Sequence, residues 1–269
     1  MAKKNSKKDF MRVVVASDMH CGHRAGLTPP EHFQYNTSYL QQQKKTWEFW
    51  SNSLKELRDE HPIDLLIHNG DAIDGKGERS GGTELYEVDR SKQVEIAYSC
   101  LKESQASEYA LTYGTPYHVG QEEDFERLLS WKLNCDIEGH MQRDVNGVLF
   151  DVKHKVGSSP LPHSRYTSIA KEKLLNTMWN DRGGQINADV IIRSHVHYFA
   201  YCGDGRFLGV VTPALQGFGS KYGVRQCSGT VDFGLIWFDI YGKDDWSWGR
   251  KIMQYEVVKK GNKYESRLK

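Results

Sequence analysis

Short apolar runs recur along the first two-thirds of the chain, and each gives way to a polar cluster. Residues 11–16, 63–67, 109–113 (interrupted by Thr112) and 190–192 have the length and content of buried β-strands. Between them the period changes. Residues 38–59 place Trp47, Trp50, Leu54 and Leu57 on one face, which predicts a helix. Val94, Ala97, Tyr98 and Leu101 recur at i, i+3, i+4 and i+7 and predict a second. Further helices are expected through Phe125, Leu128 and Leu129, and over residues 164–179. Pro29 and Pro30 break the stretch before the first helix, and the Gly- and charge-rich residues 75–86 read as a loop.

The later part of the chain reads differently. Asn146-Gly147 is a hairpin signal between strand-like runs at 137–143 and 148–156. Residues 198–201, 207–211, 231–240 and 251–258 read as strands joined by short turns. Strand–helix alternation followed by hairpins predicts an α/β chain with two mixed sheets flanked by helices. With no internal repeat or linker, a single domain is expected over residues 10–260, between basic tails at 1–9 and 261–269.

Each buried run delivers Asp or His just beyond its end: Asp18-Met19-His20, Gly70-Asp71-Ala72-Ile73-Asp74, Gly114-Thr115-Pro116-Tyr117-His118 and Ser194-His195-Val196-His197. Ligands collect beyond the carboxyl ends of strands in open α/β sheets, so these stretches point to one shared polar site. Asp oxygen and imidazole nitrogen without thiolate suit Mn, Fe, Zn, Co or Ni better than Ca. On an extended segment, side chains two apart share a side, so Asp18 with His20 and His195 with His197 are each expected to present two ligands together. Asp71 adds a carboxylate able to bridge, and His154 lies near the end of the 148–156 run. Six such residues exceed the needs of one tetrahedral ion, but two ions about 3.5–4 Å apart would use them all. Such a pair activates a hydroxide and neutralises phosphoryl oxygens, which makes phosphate-ester hydrolysis the natural reaction.

Charge and cysteine content narrow the setting. Thirty-six basic against 35 acidic residues leave a net charge of +1, so no global field selects a partner. Basic clusters do stand at both ends: Lys3, Lys4, Lys7 and Lys8, then Lys259, Lys260, Lys263, Arg267 and Lys269. Five scattered cysteines without C-x-x-C spacing argue against a disulfide framework and a thiolate zinc site. No segment has the apolar length of a signal peptide or a membrane span. A soluble protein of a reducing cytoplasm is expected.

The ordered set DMH, GDAID, GTPYH, KHK and SHVH resembles the calcineurin-like metallophosphoesterases, whose pattern reads D-x-H, G-D-x-x-D, G-N-H-[DE], a lone His and G-H-x-H. The resemblance runs from about residue 11 to 200. It implies a four-layer α/β/β/α sandwich and a dinuclear centre, most readily of Mn, with Fe, Zn, Co, Ni or Mg as alternatives. Asp18, His20 and His197 would hold one ion and His154 and His195 the other, with Asp71 bridging. His118 would match the histidine that protonates the leaving group, and Asp74 the acid that orients it.

Two departures stand out. Thr115 replaces the asparagine that ligates the second ion, leaving Gln121 or water as substitutes, and two residues are inserted before His118. The variant third motif resembles phage-encoded members, which implies work inside an infected bacterium. Gly75-Lys76-Gly77 also departs from the protein-phosphatase pattern. That argues against a phosphoprotein phosphatase, and the neutral net charge favours a phosphodiesterase acting on small cyclic or linear nucleotides. A nuclease of the Mre11/SbcD kind, acting on DNA or RNA, is the alternative that the basic ends keep open. A catalytically silent scaffold is the third reading. Among the remaining histidines, His68 is expected in the core, His23 in a loop or the site's outer shell, and His32, His61, His140 and His163 are unassigned.

Overall fold

The computed structural model describes residues 9–119, 124–159, 161–218 and 231–253. The chain begins with β1 (Met11–Ala16), α1 (Leu40–Glu60), β2 (Leu65–Asn69), α2 (Arg90–Lys102), β3 (Glu108–Thr112), the one-turn α3 (Pro116–Val119) and α4 (Phe125–Leu133). It continues through β4 (Ile137–Glu138), β5 (Met141–Val145), β6 (Val148–Lys155), α5 (Pro162–Asp181) and β7 (Val190–Ser194). The described part closes with β8 (Ala200–Gly203), β9 (Leu208–Val211), β10 (Phe233–Gly242) and β11 (Asp245–Met253).

Two mixed sheets result. One has the order β11-β10-β1-β2-β3-β4, the other β5-β6-β7-β9-β8. In the first, β1 pairs parallel to β2 and antiparallel to β10, which puts the first strand of the chain at the centre. The unbroken apolar run of β1 has a direct cause: both of its faces are covered. Val14 and Ala16 pack with Trp50, Leu54, Val94, Leu101 and Leu129 from α1, α2 and α4. Val13 and Val15 point the other way and meet Phe150, Val152, Val190 and Ile192 of the second sheet. On the outer face of that sheet, Ile169 of α5 packs with Ile191 and Val211. The layers are therefore α/β/β/α.

Several elements differ from the sequence expectation. The run at 137–143 is not one strand. Ile137–Glu138 pairs with β3 in the first sheet, whereas Met141–Val145 pairs with β6 in the second. Gly139 and His140 carry the chain between layers, a change of partner that leaves no trace in apolar spacing. The last strand starts at Asp245 instead of 251, because it forms a hairpin with β10 through a bulge between Ile240 and Gly242. Residues 254–258 lie outside the described residues, as do most of both basic tails. The 63–67 run slides to Leu65–Asn69, and the 190–192 run extends to Ser194, since buried polar residues complete both strands. β1, β2, β3, β6 and β7 bring their carboxyl ends to the same end of the sandwich.

Candidate metal centre

Backbone geometry at this end corrects the extended-segment expectation. Asp18, His20, Asp71, His195 and His197 have φ of 52, 46, 54, 78 and 55°, all left-handed. Such conformations cost of order 1–3 kcal/mol each and persist only where the surroundings over-determine them. Here the pairing of β1 with β2 continues past both strand ends. Asp18 N donates to Gly70 O, His20 N to Asp71 O and Cys21 N to Ala72 O, each at 3.0 Å. The ligands in each pair thus converge through sharply turned backbone rather than through strand alternation.

Three overlapping groups of side chains form: Asp18, His20 and His197; His20, Asp71 and His118; Asp71, His154 and His195. His197 Nε2 lies 3.3 Å from Asp18 Oδ1 and 3.3 Å from His20 Nε2. On the other side, Asp71 Oδ2 stands 3.0 Å from His154 Nε2 and 3.9 Å from His195 Nδ1. Asp71 links two of the groups, the one with His20 and His118 and the one with His154 and His195. Asp18 Oδ1 is buried without a hydrogen-bond partner. A carboxylate oxygen left so, beside converging imidazole nitrogens, is an acceptor set that a cation satisfies. The residues present fit divalent metal.

The second nitrogen of each ring supports the same reading. His154 Nδ1 is 2.7 Å from Asn69 O. A carbonyl only accepts, so Nδ1 carries a proton and Nε2 is the nitrogen that faces Asp71. His20 Nδ1 is held by Asp74 Oδ1 at 3.0 Å, which likewise frees Nε2. Electrostatics follow from two fully buried carboxylates. Burial alone would raise Asp18 and Asp71, but His197 and His154 respectively hold both below the usual range. Burial would lower His154, yet Asp71 and Asp18 raise it to about 10. His20 goes the other way, to about 4, through burial and the neighbouring His118. The site demands positive charge between its carboxylates, and His154 answers with a proton.

The third motif reaches the centre despite its insertion. Pro116 starts the single turn of α3, closed by His118 N donating to Thr115 O at 2.9 Å. That turn returns His118 to the rim, with Nδ1 bonded to the Asp74 carbonyl at 2.8 Å and Nε2 4.0 Å from Asp71 Oδ2. The Asp74 carboxylate, expected to orient His118, is nearer His20, standing 3.7 Å from His118 Nδ1. Thr115 does not stand as a free ligand. Its backbone N donates to Asp71 Oδ1 at 2.7 Å and its hydroxyl lies 3.2 Å from the same oxygen, so it braces the Asp71 carboxylate. Gln121, the suggested substitute ligand, lies outside the described residues.

Residues 11–114 match the sequence model of the calcineurin-like phosphoesterases. That stretch is less than half of the chain. No curated protein matches the chain. Solved structures with a similar course include an archaeal phosphodiesterase, at 13% identity and TM-score 0.47, covering 90% of this chain and 100% of that one. Others are vacuolar protein sorting 29 from Cryptosporidium parvum (10%, 0.46, covering 91% of this chain and 99% of that one) and a purple acid phosphatase from yellow lupin, Lupinus luteus, seeds (11%, 0.49, 91% and 52%). The matched stretch includes Asp18, His20, Asp71 and Asp74. His118, His154, His195 and His197 come from beyond it.

Two residues that support the centre escaped the sequence reading. Glu126 of α4 is buried, and its two oxygens accept from Ala72 N and Gly114 N, both at 2.7 Å. It ties the second and third motifs together. Burial and the nearby Asp71 raise its carboxyl to about 7. Its signal was present: Glu126 shares a helix face with the buried Leu129 and Leu133. Gln93 of α2 grips Gly75 through both N–H and C=O, at 2.8 and 2.9 Å. His68 is indeed core, with both ring nitrogens unpaired and burial lowering it to about 3. His23 is loop-held, bonded by Ala25 N and near Glu84, and His140 pairs with Asp151. No helix among the described residues is long and apolar enough to cross a membrane.

Proposed function

We propose that this chain is a metal-dependent phosphodiesterase with two divalent ions, most readily Mn²⁺. Asp18, His20 and His197 would hold one ion, His154 and His195 the other, and Asp71 both. The observation that carries this reading is the buried Asp18 Oδ1, without a hydrogen-bond partner and set among three imidazoles, with Asp71 grouped both with His20 and with His154 and His195. Bound ions would polarise phosphoryl oxygens and make water a competent nucleophile near neutral pH. The protein's own part is orientation and proton transfer. Thr115 aims the Asp71 carboxylate, and the Asp74 carbonyl fixes the His118 ring so that Nε2 faces the centre from its rim. A protonated Nε2 there would deliver its proton to the departing ester oxygen.

A small cyclic or linear nucleotide is the substrate class proposed, hydrolysed in the cytoplasm by a single domain spanning residues 10–260. The test is hydrolysis of bis-p-nitrophenyl phosphate by chelated protein reloaded with Mn²⁺, beside Asp71→Asn. Mn²⁺-dependent turnover that falls by more than about 100-fold in the variant supports the proposal, since even outer partners of metal ligands are worth 10–100-fold. Cleavage of single-stranded DNA in preference to cyclic nucleotides would replace the substrate class with nucleic acid. Metal uptake without turnover on any phosphodiester would favour a scaffold, and failure to take up metal would refute the centre itself.

A further inference from the structure

The outer face of α5 is apolar where a solvated helix would be charged. Twelve large apolar side chains are exposed among the described residues, and six of them (Leu161, Tyr166, Leu174, Leu175, Met178 and Trp179) lie on α5 or just before it. Leu174 is 62% and Met178 45% exposed. At about 100° per residue, the ridge Lys171, Leu174, Met178 and Asp181 stands opposite Ile169 and Asn176, the buried residues of the helix. Isolated exposed leucines need no explanation, but a contiguous stripe marks an interaction surface.

The ridge also carries its own complement. Its 3-4-3 spacing is that of a coiled-coil seam. Reversed about the level of residue 176, Leu174 falls on Met178 and Lys171 falls on Asp181. Both charged residues are exposed, and neither has an ion-pair partner among the described residues. A two-fold contact requires this kind of reciprocity, in which residue i meets j and j meets i.

We propose that α5 is a self-association surface. Two copies pair antiparallel through it, with Leu174 against Met178 of the partner subunit and Lys171 against Asp181 of the partner subunit. The helix follows β6, whose end carries His154, and leads back to the start of β7. Its C-terminal half therefore lies toward the end of the sheet away from the metal centre, and pairing leaves each centre open. One helix pair is a small contact beside the ~800 Å² per partner of a standard interface. The dimer is accordingly weak and concentration-dependent.

Sedimentation velocity of the full chain across the micromolar range tests this. The mass should rise with concentration from 30.9 kDa toward twice that value. Leu174→Glu should hold the chain at the monomer with an unchanged melting temperature. Lys171→Glu and Asp181→Lys should each raise the dissociation constant by roughly 5-fold or more, by setting like charges opposite each other. The double swap should restore association. A monomer at every concentration overturns the proposal. So does a dimer that Leu174→Glu leaves intact, or a double swap as weak as the singles combined.

Discussion

His154 condenses the chemistry of the centre into one ring. Asn69 O fixes its tautomer, and Asp71 with Asp18 raises its pKa to about 10. Without a cation the ring therefore stays protonated at neutral pH, and a metal ion must displace that proton to reach Nε2. Metal uptake at pH 7 should release close to one proton from this group, and affinity should climb as pH rises toward 10. Calorimetry in buffers of different ionisation enthalpy measures the proton count, and His154→Gln should lower it. Gly70 shows how tightly the ring is seated. At φ +79° a Cβ there would stand 2.5 Å from His154 Nδ1. Glu126 is the other residue with a sharp expectation. Glu126→Ala strands two buried amides, each costing about 1–3 kcal/mol, and urea unfolding should show a loss of at least ~2 kcal/mol. Glu126→Gln should also destabilise, because its NH₂ would face an amide donor. Residue identities were legible because Asp and His beyond apolar runs have few structural excuses. Their left-handed backbone was not, since only contacts from neighbouring loops hold it.

At the scale of elements, α5 is tied to the second sheet by buried charge as well as by Ile169. Arg193 of β7, only 2% exposed, reaches Asp151 of β6 and Glu172 of α5 at 2.7 Å each. Burial would raise the Asp151 carboxyl, but the His140 hydrogen bond and the Arg193 charge bring it down to about 2. The sign is fixed by comparison with the ordinary 3.8. The folded state prefers the ionised form, so the contribution is present above about pH 4 and is lost as pH falls toward 2. It amounts to about 2 kcal/mol. Stability against urea should decline across that window in the wild type, and Asp151→Asn should flatten the decline. Helices were legible from their 3.6-residue period because each buries one face. The boundary between β4 and β5 was not, because two short strands in different sheets carry one continuous apolar-polar pattern.

For the whole molecule, topology makes the parts interdependent. β1 is flanked by β2 and by β10, which lies more than 200 residues later in the chain. A fragment ending near residue 120 would contain the matched phosphoesterase stretch but leave one edge of β1 unpaired. It would also expose Val13, Val15 and Ile67, which the second sheet covers. Such a fragment should show no cooperative unfolding transition by circular dichroism. Phe238→Ala, which removes the ring packed at 5.2 Å against Phe150 between the sheets, should cost about 3–5 kcal/mol in the full chain. By itself the sequence determined the inventory: which runs are buried, which Asp and His follow them, and that their chemistry suits divalent metal. Local periodicity and side-chain chemistry suffice for that. Only the tertiary structure decided that Asp71 links two groups of side chains, that Thr115 braces it, that Asp74 bonds His20, and that α5 keeps an open apolar ridge. Those facts depend on which distant segments become neighbours, and no local pattern encodes distance across a fold.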